Sequence, residues 1–211
     1  MSLTNTVFYV IVLIMSIVVH EVAHGFAAES QGDPTARYAG RLTLNPLKHI
    51  DLVGSILLPL FLIITHSGFI IGWAKPVPYN ERNLRDKKWG TIAVASAGII
   101  ANLGLAFIFG VAIRFAGVLG SAGPAFMSIA TTIVLVNLLL ALFNLIPIPP
   151  LDGSKILFSL LPEKTATAAF RARVEYLALP LLIVFIIFLW PAIVPVIGWM
   201  FTLLTGIPMS F

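Results

Sequence analysis

Three ionisable residues, His20, Glu21 and His24, have types and a spacing that could do chemistry. Residues four positions apart lie on one face of an α-helix, so both imidazoles can point at a single metal ion. Glu21 would then lie close enough to accept a proton from a water bound to that metal. The pattern therefore predicts a metal centre that activates water for hydrolysis.

These residues lie within an apolar segment, residues 7–28, that is long enough to cross a membrane. At 1.5 Å per residue it extends over about 33 Å, whereas the hydrocarbon core of a bilayer is about 30 Å thick. A charged side chain near the centre of a spanning helix costs about 2.5–3.5 kcal/mol. The chain has only four histidines and 10% charged residues, so this pattern rarely arises there by chance. We interpret it as a functional site.

The composition is that of a membrane protein with several spanning helices. Hydrophobic residues make up 59% of the 211 residues and the mean hydropathy is +1.01, whereas soluble domains are about 45–50% apolar. No polar block is long enough for an appended soluble domain. Residues 1–211 are therefore predicted to form one membrane-embedded domain, with a core at about 7–160 and a C-terminal helical segment at about 177–207.

Charge, cysteine content and the N-terminal residues give further information about this membrane protein. The net charge of +4 comes mostly from loops, where Lys and Arg report membrane orientation rather than nucleic-acid binding. The chain has no cysteine, so metal ligands are expected among His, Asp and Glu. A cleaved signal peptide is not expected, because a basic segment before the apolar run is missing.

A second candidate site lies at the end of the apolar segment that starts at Pro124. Residues 144–153 read Asn-Leu-Ile-Pro-Ile-Pro-Pro-Leu-Asp-Gly, and three prolines so close together prevent a regular helix. Non-helical backbone at membrane depth is tolerated only where it is buried in protein or lines a cavity. Asp152 can supply the third ligand of a catalytic zinc, which takes three protein ligands and a water. The alternative is a helix N-cap for a segment that begins near Ser154.

The rest of the chain predicts an all-α membrane bundle with two additions. Residues 37–44 and 74–79 are strand-like, and edge strands at 41–44 or 74–79 could hold a substrate extended by strand addition. Residues 52–71 are apolar but have basic loops on both sides, which favours a re-entrant segment that bends at Pro59 or at residues 66–68. Small residues at 96–98 and the buried Asn102 indicate close helix packing.

The C-terminal third contains a basic connection and a last apolar segment. Residues 155–176 form an amphipathic connection that is expected on the cytoplasmic side, because positive loops prefer that side. Residues 177–204 contain Pro191 and Pro195 and predict either one kinked helix or a tight helical pair.

The first motif and the proline-rich segment together resemble the site-2 proteases, the intramembrane zinc metalloproteases. The likeness extends to residues 97–102, Ala-Gly-Ile-Ile-Ala-Asn, and to residues 72–78, Gly-Trp-Ala-Lys-Pro-Val-Pro. It covers residues from about 7 to about 160. Many members carry PDZ or CBS domains, and neither fits here, so the sequence is similar to the compact members. Residues 52–71 are an insertion relative to the three-helix core of the family.

The resemblance implies a set of roles. His20, His24 and Asp152 would bind one zinc ion per chain, and Glu21 would be the base. Asn102 and Asn144 would help to hold the substrate or its oxyanion.

The expected function is that of a zinc endopeptidase that cuts another protein in or near its transmembrane segment. The partners would be that substrate and the lipid bilayer, with no nucleic acid and no predicted oligomeric state. The expected location is a prokaryotic cell membrane, with the site towards the cytoplasm. Two alternatives remain. One is a membrane zinc protease with Glu163 or Glu175 as the third ligand. The other is a metal transporter or sensor that uses His49 and His66 and leaves Glu21 unexplained.

Overall fold

The computed structural model of the protein describes residues 3–65, 74–119, 123–162, 164–165 and 167–209. Short 3₁₀ helices cover Pro46–His49 and Glu81–Asn83, and π-helical turns cover Leu52–Leu57 and Phe185–Leu189. In chain order the α-helices are α1 (Leu3–Ser30), α2 (Thr35–Tyr38), α3 (Leu58–Ile64), α4 (Lys87–Leu119), α5 (Pro124–Asn144), α6 (Asp152–Leu160), α7 (Ala168–Tyr176), α8 (Ala178–Val184) and α9 (Trp190–Thr205).

Four helical stretches in the described part of the chain are long and apolar enough to cross a membrane. A backbone surrounded by lipid has to satisfy its hydrogen bonds internally, which a helix does. Large apolar side chains such as Val10, Phe107 and Phe115 are exposed on these helices, as a lipid-facing surface requires. The predicted all-α, multi-pass membrane fold is confirmed. The four stretches are Thr6–Ser30, Lys87–Ala116, Pro124–Asn144 and Ala178–Thr205.

The packed core of the bundle lies between α4, α5 and α9. Ala106 and Ile113 of α4 pack against Val134 and Leu138 of α5, and Phe201 of α9 completes this cluster. All five side chains are buried. The small Ala106 lets neighbouring helices approach closely, which is how helices associate when lipid supplies no hydrophobic driving force between them.

Helix α1 packs antiparallel to α4 and also contacts α5. His20 meets Asn102 of α4, and one turn further along α1, His24 meets the carbonyl of Val94, which comes earlier in α4. This packing places both histidines against the half of α4 nearest its N-terminus.

The two predicted β-strands are absent, because residues 41–44 and 74–80 contain no strand. The Arg41 N–H closes the turn after α2 by donating to the Ala36 carbonyl at 3.0 Å. The chain then enters the 3₁₀ helix Pro46–His49, which leaves too few residues for a strand. The prediction of a small β element was therefore wrong.

Backbone bonds already made also argue against strand addition at residues 74–80. The Lys75 N–H donates to the His49 carbonyl at 2.8 Å, and the Val77 N–H donates to Glu21 Oε2 at 2.8 Å. Pro76 has no N–H to offer. A substrate strand would find few free donors on this segment, so the structure gives no support to capture of the substrate there.

The two described ends of the segment at residues 50–74 lie close together. The bond between Lys75 N–H and the His49 carbonyl brings the two ends of this segment together. A single membrane crossing would have placed them on opposite sides, so the arrangement favours the predicted re-entrant segment. The chain is helical on both sides of Pro59 and does not reverse there. The other predicted bend, residues 66–68, lies outside the described residues.

The last apolar segment is one interrupted helical stretch. Helix α8 continues through the π-helical turn Phe185–Leu189 into α9. Pro191 lies in the first turn of α9 and Pro195 lies inside that helix. Because proline lacks the N–H that an α-helix needs, a locally widened turn before Pro191 is physically reasonable. Of the two predicted alternatives, the structure shows the single helical stretch.

The basic residues are concentrated at one end of the bundle. All Lys and Arg residues except Arg114 lie in the connections from α1 to α4 and from α5 to α8 or, for Lys87 and Lys88, in the first turn of α4. The two connections meet, since Lys155 Nζ lies 5.7 Å from the centre of the Tyr79 ring. Arg114 lies near the other end of α4, where it donates to the Leu203 carbonyl at 2.6 Å. This asymmetry is typical of multi-spanning membrane proteins.

Candidate metal centre

The structure brings His20, His24 and Asp152 together, although Asp152 is 132 positions from His20 in the chain. Asp152 Oδ2 lies 3.1 Å from Nε2 of each histidine, and the two Nε2 atoms are 3.0 Å apart. All three side chains are buried. Within the part of the chain that the structure describes, they form the only group of this kind that could hold a metal ion.

Each histidine is oriented by a hydrogen bond at its other ring nitrogen. His24 Nδ1 lies 2.7 Å from the Val94 carbonyl oxygen, which can only accept, so Nδ1 carries the proton. His20 Nδ1 lies 2.6 Å from Asn102 Oδ1, an amide oxygen in the same role. A neutral imidazole protonated at Nδ1 has its lone pair at Nε2. Both lone pairs therefore point towards the Asp152 carboxylate.

This donor set fits a zinc ion. Two imidazole lone pairs and a carboxylate oxygen within about 3 Å of one another are mutually repulsive unless a cation lies between them. Two histidines and one carboxylate form a known set for catalytic zinc, with the fourth position left for water. The bonds from the outer ring nitrogens to an amide and a carbonyl are the supporting contacts that such ligands usually have.

Asp152 is the first residue of α6, and its side chain points at the histidines. The N-cap of α6 is Leu151, and the Ser154 N–H donates to the Leu151 carbonyl. The alternative role of Asp152 as an N-cap is therefore wrong. A Cβ atom at Gly153 would lie 2.2 Å from the Leu145 carbonyl oxygen. Glycine after Asp152 thus lets the start of α6 pack against the chain that leaves α5.

Asn102 lies behind the three candidate metal ligands, away from any open surface. It is fully buried, its Oδ1 faces His20, and its Nδ2 donates to Asn137 Oδ1 at 2.8 Å. Both ends of the amide are thus used inside the protein. These contacts support the predicted packing role and extend it to orienting His20.

Asn144 and Glu21 are placed differently from the three ligands. Asn144 is half-buried at the end of α5, where its Nδ2 donates to the Leu140 carbonyl at 3.0 Å. Its role in substrate binding stays a prediction. Glu21 is half-buried next to His20, and its Oε2 accepts the Val77 N–H.

Two further residues of the site are not singled out by the sequence patterns. Asn137 of α5 links Asn102 to Ser16, to which its Nδ2 donates at 2.9 Å. Lys155 Nζ lies 3.1 Å from Asp152 Oδ1 and leaves Oδ2 for the histidines. An Asn in the middle of a largely apolar helix is a signal for Asn137, since such a residue needs a buried partner.

The additional metal ligands required by the two alternative functions lie outside the cluster or outside the described residues. His49 is buried outside the cluster, with its Nε2 2.9 Å from the Thr43 carbonyl. Glu175 is exposed on α7. His66 and Glu163 lie outside the described residues.

Gly98 of α4 provides a sharp test of this geometry. A Cβ atom there would lie 2.5 Å from Cε1 of His20. Gly98→Ala should therefore push the imidazole away from the cluster and lower zinc affinity by at least about 10-fold, as loss of a supporting contact does. Zinc affinity can be measured by competition with a chromophoric chelator.

Gly104→Ala is the matched control for Gly98→Ala. It lies on the same helix, and a Cβ atom there would have no neighbour within 4 Å. It should leave zinc affinity unchanged. Equal affinities for the two alanine variants would contradict the placement of His20 against Gly98.

Comparison with known proteins identifies a family and two relatives. The model of Peptidase family M50 matches residues 120–189. "Putative zinc metalloprotease YwhC" of Bacillus subtilis is 41% identical over 160 residues, which are 74% of this chain and 69% of that protein. "Putative zinc metalloprotease Rip2" of Mycolicibacterium smegmatis is 35% identical over 164 residues, 76% of this chain and 60% of that protein. No solved structure gives a significant match.

The helices, the ligand cluster and these relatives define a multi-pass membrane metalloprotease. The chain belongs to peptidase family M50, the site-2 proteases. The resemblance recognised from the His-Glu-Val-Ala-His motif and the proline-rich segment is confirmed.

Proposed function

We propose that this protein is an intramembrane zinc endopeptidase that hydrolyses a peptide bond within or beside a transmembrane segment of another membrane protein. The observation that carries the proposal is the buried convergence of His20 Nε2, His24 Nε2 and Asp152 Oδ2 on helices of a membrane bundle. Ionisable groups in such a setting are costly and are usually functional. Membership of a metalloprotease family supports the same reading.

In this proposal each residue has one task. His20, His24 and Asp152 would hold a single zinc ion, which would supply Lewis acidity and lower the pKa of a water to about 7. Glu21 accepts the proton of that water and passes it to the leaving nitrogen. Asn102 and the Val94 carbonyl keep the two imidazoles in the required orientation.

The substrate in this proposal is a transmembrane helix. The carbonyls of a transmembrane helix are hidden in hydrogen bonds, so the substrate must unwind before a peptide bond can be attacked. Asn144 lies at the start of the proline-rich segment and is proposed to contact the unwound backbone or its oxyanion. Asn102 is assigned to orienting His20 instead, because its amide is fully used inside the protein.

We also propose a prokaryotic cell membrane as the location, with the metal centre facing the cytoplasm. The support is the concentration of Lys and Arg at the end of the bundle that holds α6 and the metal cluster, since positive loops prefer the cytoplasm. Residues 50–74 would then enter and leave the membrane from that side.

The direct test uses purified protein with a reporter substrate that contains one transmembrane helix. We expect cleavage in detergent or liposomes, loss of cleavage on treatment with a zinc chelator, and recovery when about one equivalent of zinc per chain is restored. Product mass would locate the cut. Zinc flux into liposomes without cleavage of any of several reporter helices would instead favour the transporter alternative.

A further inference from the structure

Residues 75–80 form a segment that lies across Glu21, and we call it the strap. Its central residue, Val77, is buried and donates its backbone N–H to Glu21 Oε2 at 2.8 Å. Gly25, one turn after Glu21 on α1, makes this approach possible, because a Cβ atom there would lie 2.9 Å from Val77 Cγ1. The strap therefore packs on the helix face that carries Glu21.

Arg41 holds one end of the strap. Its Nη2 donates to the Lys75 carbonyl at 2.7 Å and to the Pro76 carbonyl at 3.3 Å. These are the two residues that immediately precede Val77. A second bond supports the same end, from the Lys75 N–H to the His49 carbonyl.

Asp33 holds the other end of the strap. Its Oδ2 accepts the Asn80 N–H at 2.6 Å, and its Oδ1 accepts from Asn83 Nδ2 at 2.8 Å. Burial raises the pKa of Asp33, but the bonds from Thr35, Asn80 and Asn83 outweigh burial and hold this pKa below its ordinary value. The ionised Asp33 carboxylate therefore stabilises the strap fully at neutral pH. This stabilisation is lost as the pH falls through the lowered pKa of Asp33.

Stability alone does not explain an arginine at this buried position beside the strap. It is only 8% exposed, and among the described residues it pairs with no carboxylate. Its Nε is buried without a hydrogen-bond partner. Burial of a charge without a counter-ion is unfavourable. The buried guanidinium binds the carbonyls of the strap, so the effect of its burial is to fix the position of the strap.

We propose that Arg41 is a positioning residue for Glu21, and that it acts through the strap. By fixing Lys75 and Pro76 it keeps the Val77 N–H on Oε2, which sets the orientation of the carboxylate and leaves Oε1 for proton transfer. This inference rests on the proposed role of Glu21 as the base. A base displaced by about 1 Å loses about 100-fold in rate, so the position of the strap should be visible in turnover.

The first test compares Arg41→Met, Arg41→Lys and Arg37→Met in the full-length protein. Arg41→Met should lower kcat by about 10- to 100-fold with little change in KM, because the base is misplaced while substrate binding is not. Arg41→Lys keeps a cationic donor group for the carbonyls and should recover part of kcat. Arg37 is exposed and pairs with Glu29, so Arg37→Met should match the unmodified protein.

Zinc content and thermal unfolding must be measured alongside kcat and KM. We expect full zinc in all three variants, because Arg41 contacts no metal ligand. An Arg41→Met variant that retains zinc and an unchanged kcat would overturn the inference. Equal kcat for Arg41→Lys and Arg41→Met, with both unfolding at lower temperature, would reduce Arg41 to a structural role and would also overturn it.

A second pair of variants tests the amide itself. Val77→Pro removes the N–H that Glu21 accepts, at a position where Pro78 already favours extended backbone. Val77→Ala keeps the N–H and removes only side-chain packing. We expect a drop in kcat of about 100-fold for Val77→Pro and a much smaller one for Val77→Ala. Equal turnover of the two variants would rule out the amide contact.

Failure of this inference is distinguishable from failure of the proposed function. If Glu21→Gln abolishes turnover while the Arg41 and Val77 variants are silent, Glu21 is the base and the strap does not position it. If Glu21→Gln is itself fully active, the proposed mechanism fails before the strap is considered.

Discussion

Glu21→Gln should keep its zinc and lose turnover by about 10²- to 10⁴-fold, the range that a positioned general base contributes. The amide has the shape of the carboxylate but cannot accept the proton of the attacking water. It can still accept the Val77 N–H through its oxygen, so the strap should stay in place. Single-turnover cleavage of the reporter substrate and metal analysis of the same sample check both halves of this expectation.

Glu29→Gln is a suitable control for Glu21→Gln, because Glu29 lies on the same helix, pairs with the exposed Arg37 and is remote from the ligand cluster. It should have normal turnover. A Glu21→Gln variant that loses zinc as well as activity would show that Glu21 supports the metal site and would argue against its assignment as the base.

Asp152→Ala should lose both zinc and proteolysis while the helices remain folded in detergent. Removal of an outer partner of a metal ligand already lowers affinity by about 10–100-fold, so removal of a ligand should exceed that. The change also leaves the two imidazole lone pairs without the carboxylate they face. Zinc titration and circular dichroism of the purified variant measure the two expectations separately.

Asp51→Asn is the matched control for Asp152→Ala. Asp51 caps the helical turn after it by accepting the Gly54 N–H at 2.7 Å, a role that asparagine can also fill, and it does not belong to the ligand cluster. It should bind zinc normally. Full zinc and full activity in Asp152→Ala would mean that the third ligand has been wrongly assigned.

The ligand cluster was predictable because its signals are local. His20 and His24 share a helix face by spacing alone, and the proline-rich segment marks Asp152 by breaking a membrane-length helix. That the two motifs meet could be inferred from the needs of zinc and from the family resemblance. The location of the two ends of residues 50–74 was also predictable, because basic residues on both sides indicate that both ends lie at one membrane face.

The predicted strands do not form because their residues make hydrogen bonds to partners that are distant in the sequence. Prolines at 76 and 78 suggest extended backbone, but nothing in the local sequence shows that Val77 bonds to Glu21, 56 positions away. Asn137 was overlooked for a similar reason. Its partners Asn102 and Ser16 lie on two other helices, and a sequence pattern within one helix does not reveal them.

The long separation between His20 and Asp152 has a consequence for biosynthesis. Membrane helices enter the bilayer in the order of synthesis, so both histidines are in place on α1 before the chain that carries Asp152 has been made. A partly made chain has only two of the three proposed ligands and lacks the third that a catalytic zinc needs. With the proposed ligand set, the metal centre of each chain is therefore complete only after the segment that carries Asp152 has joined α1.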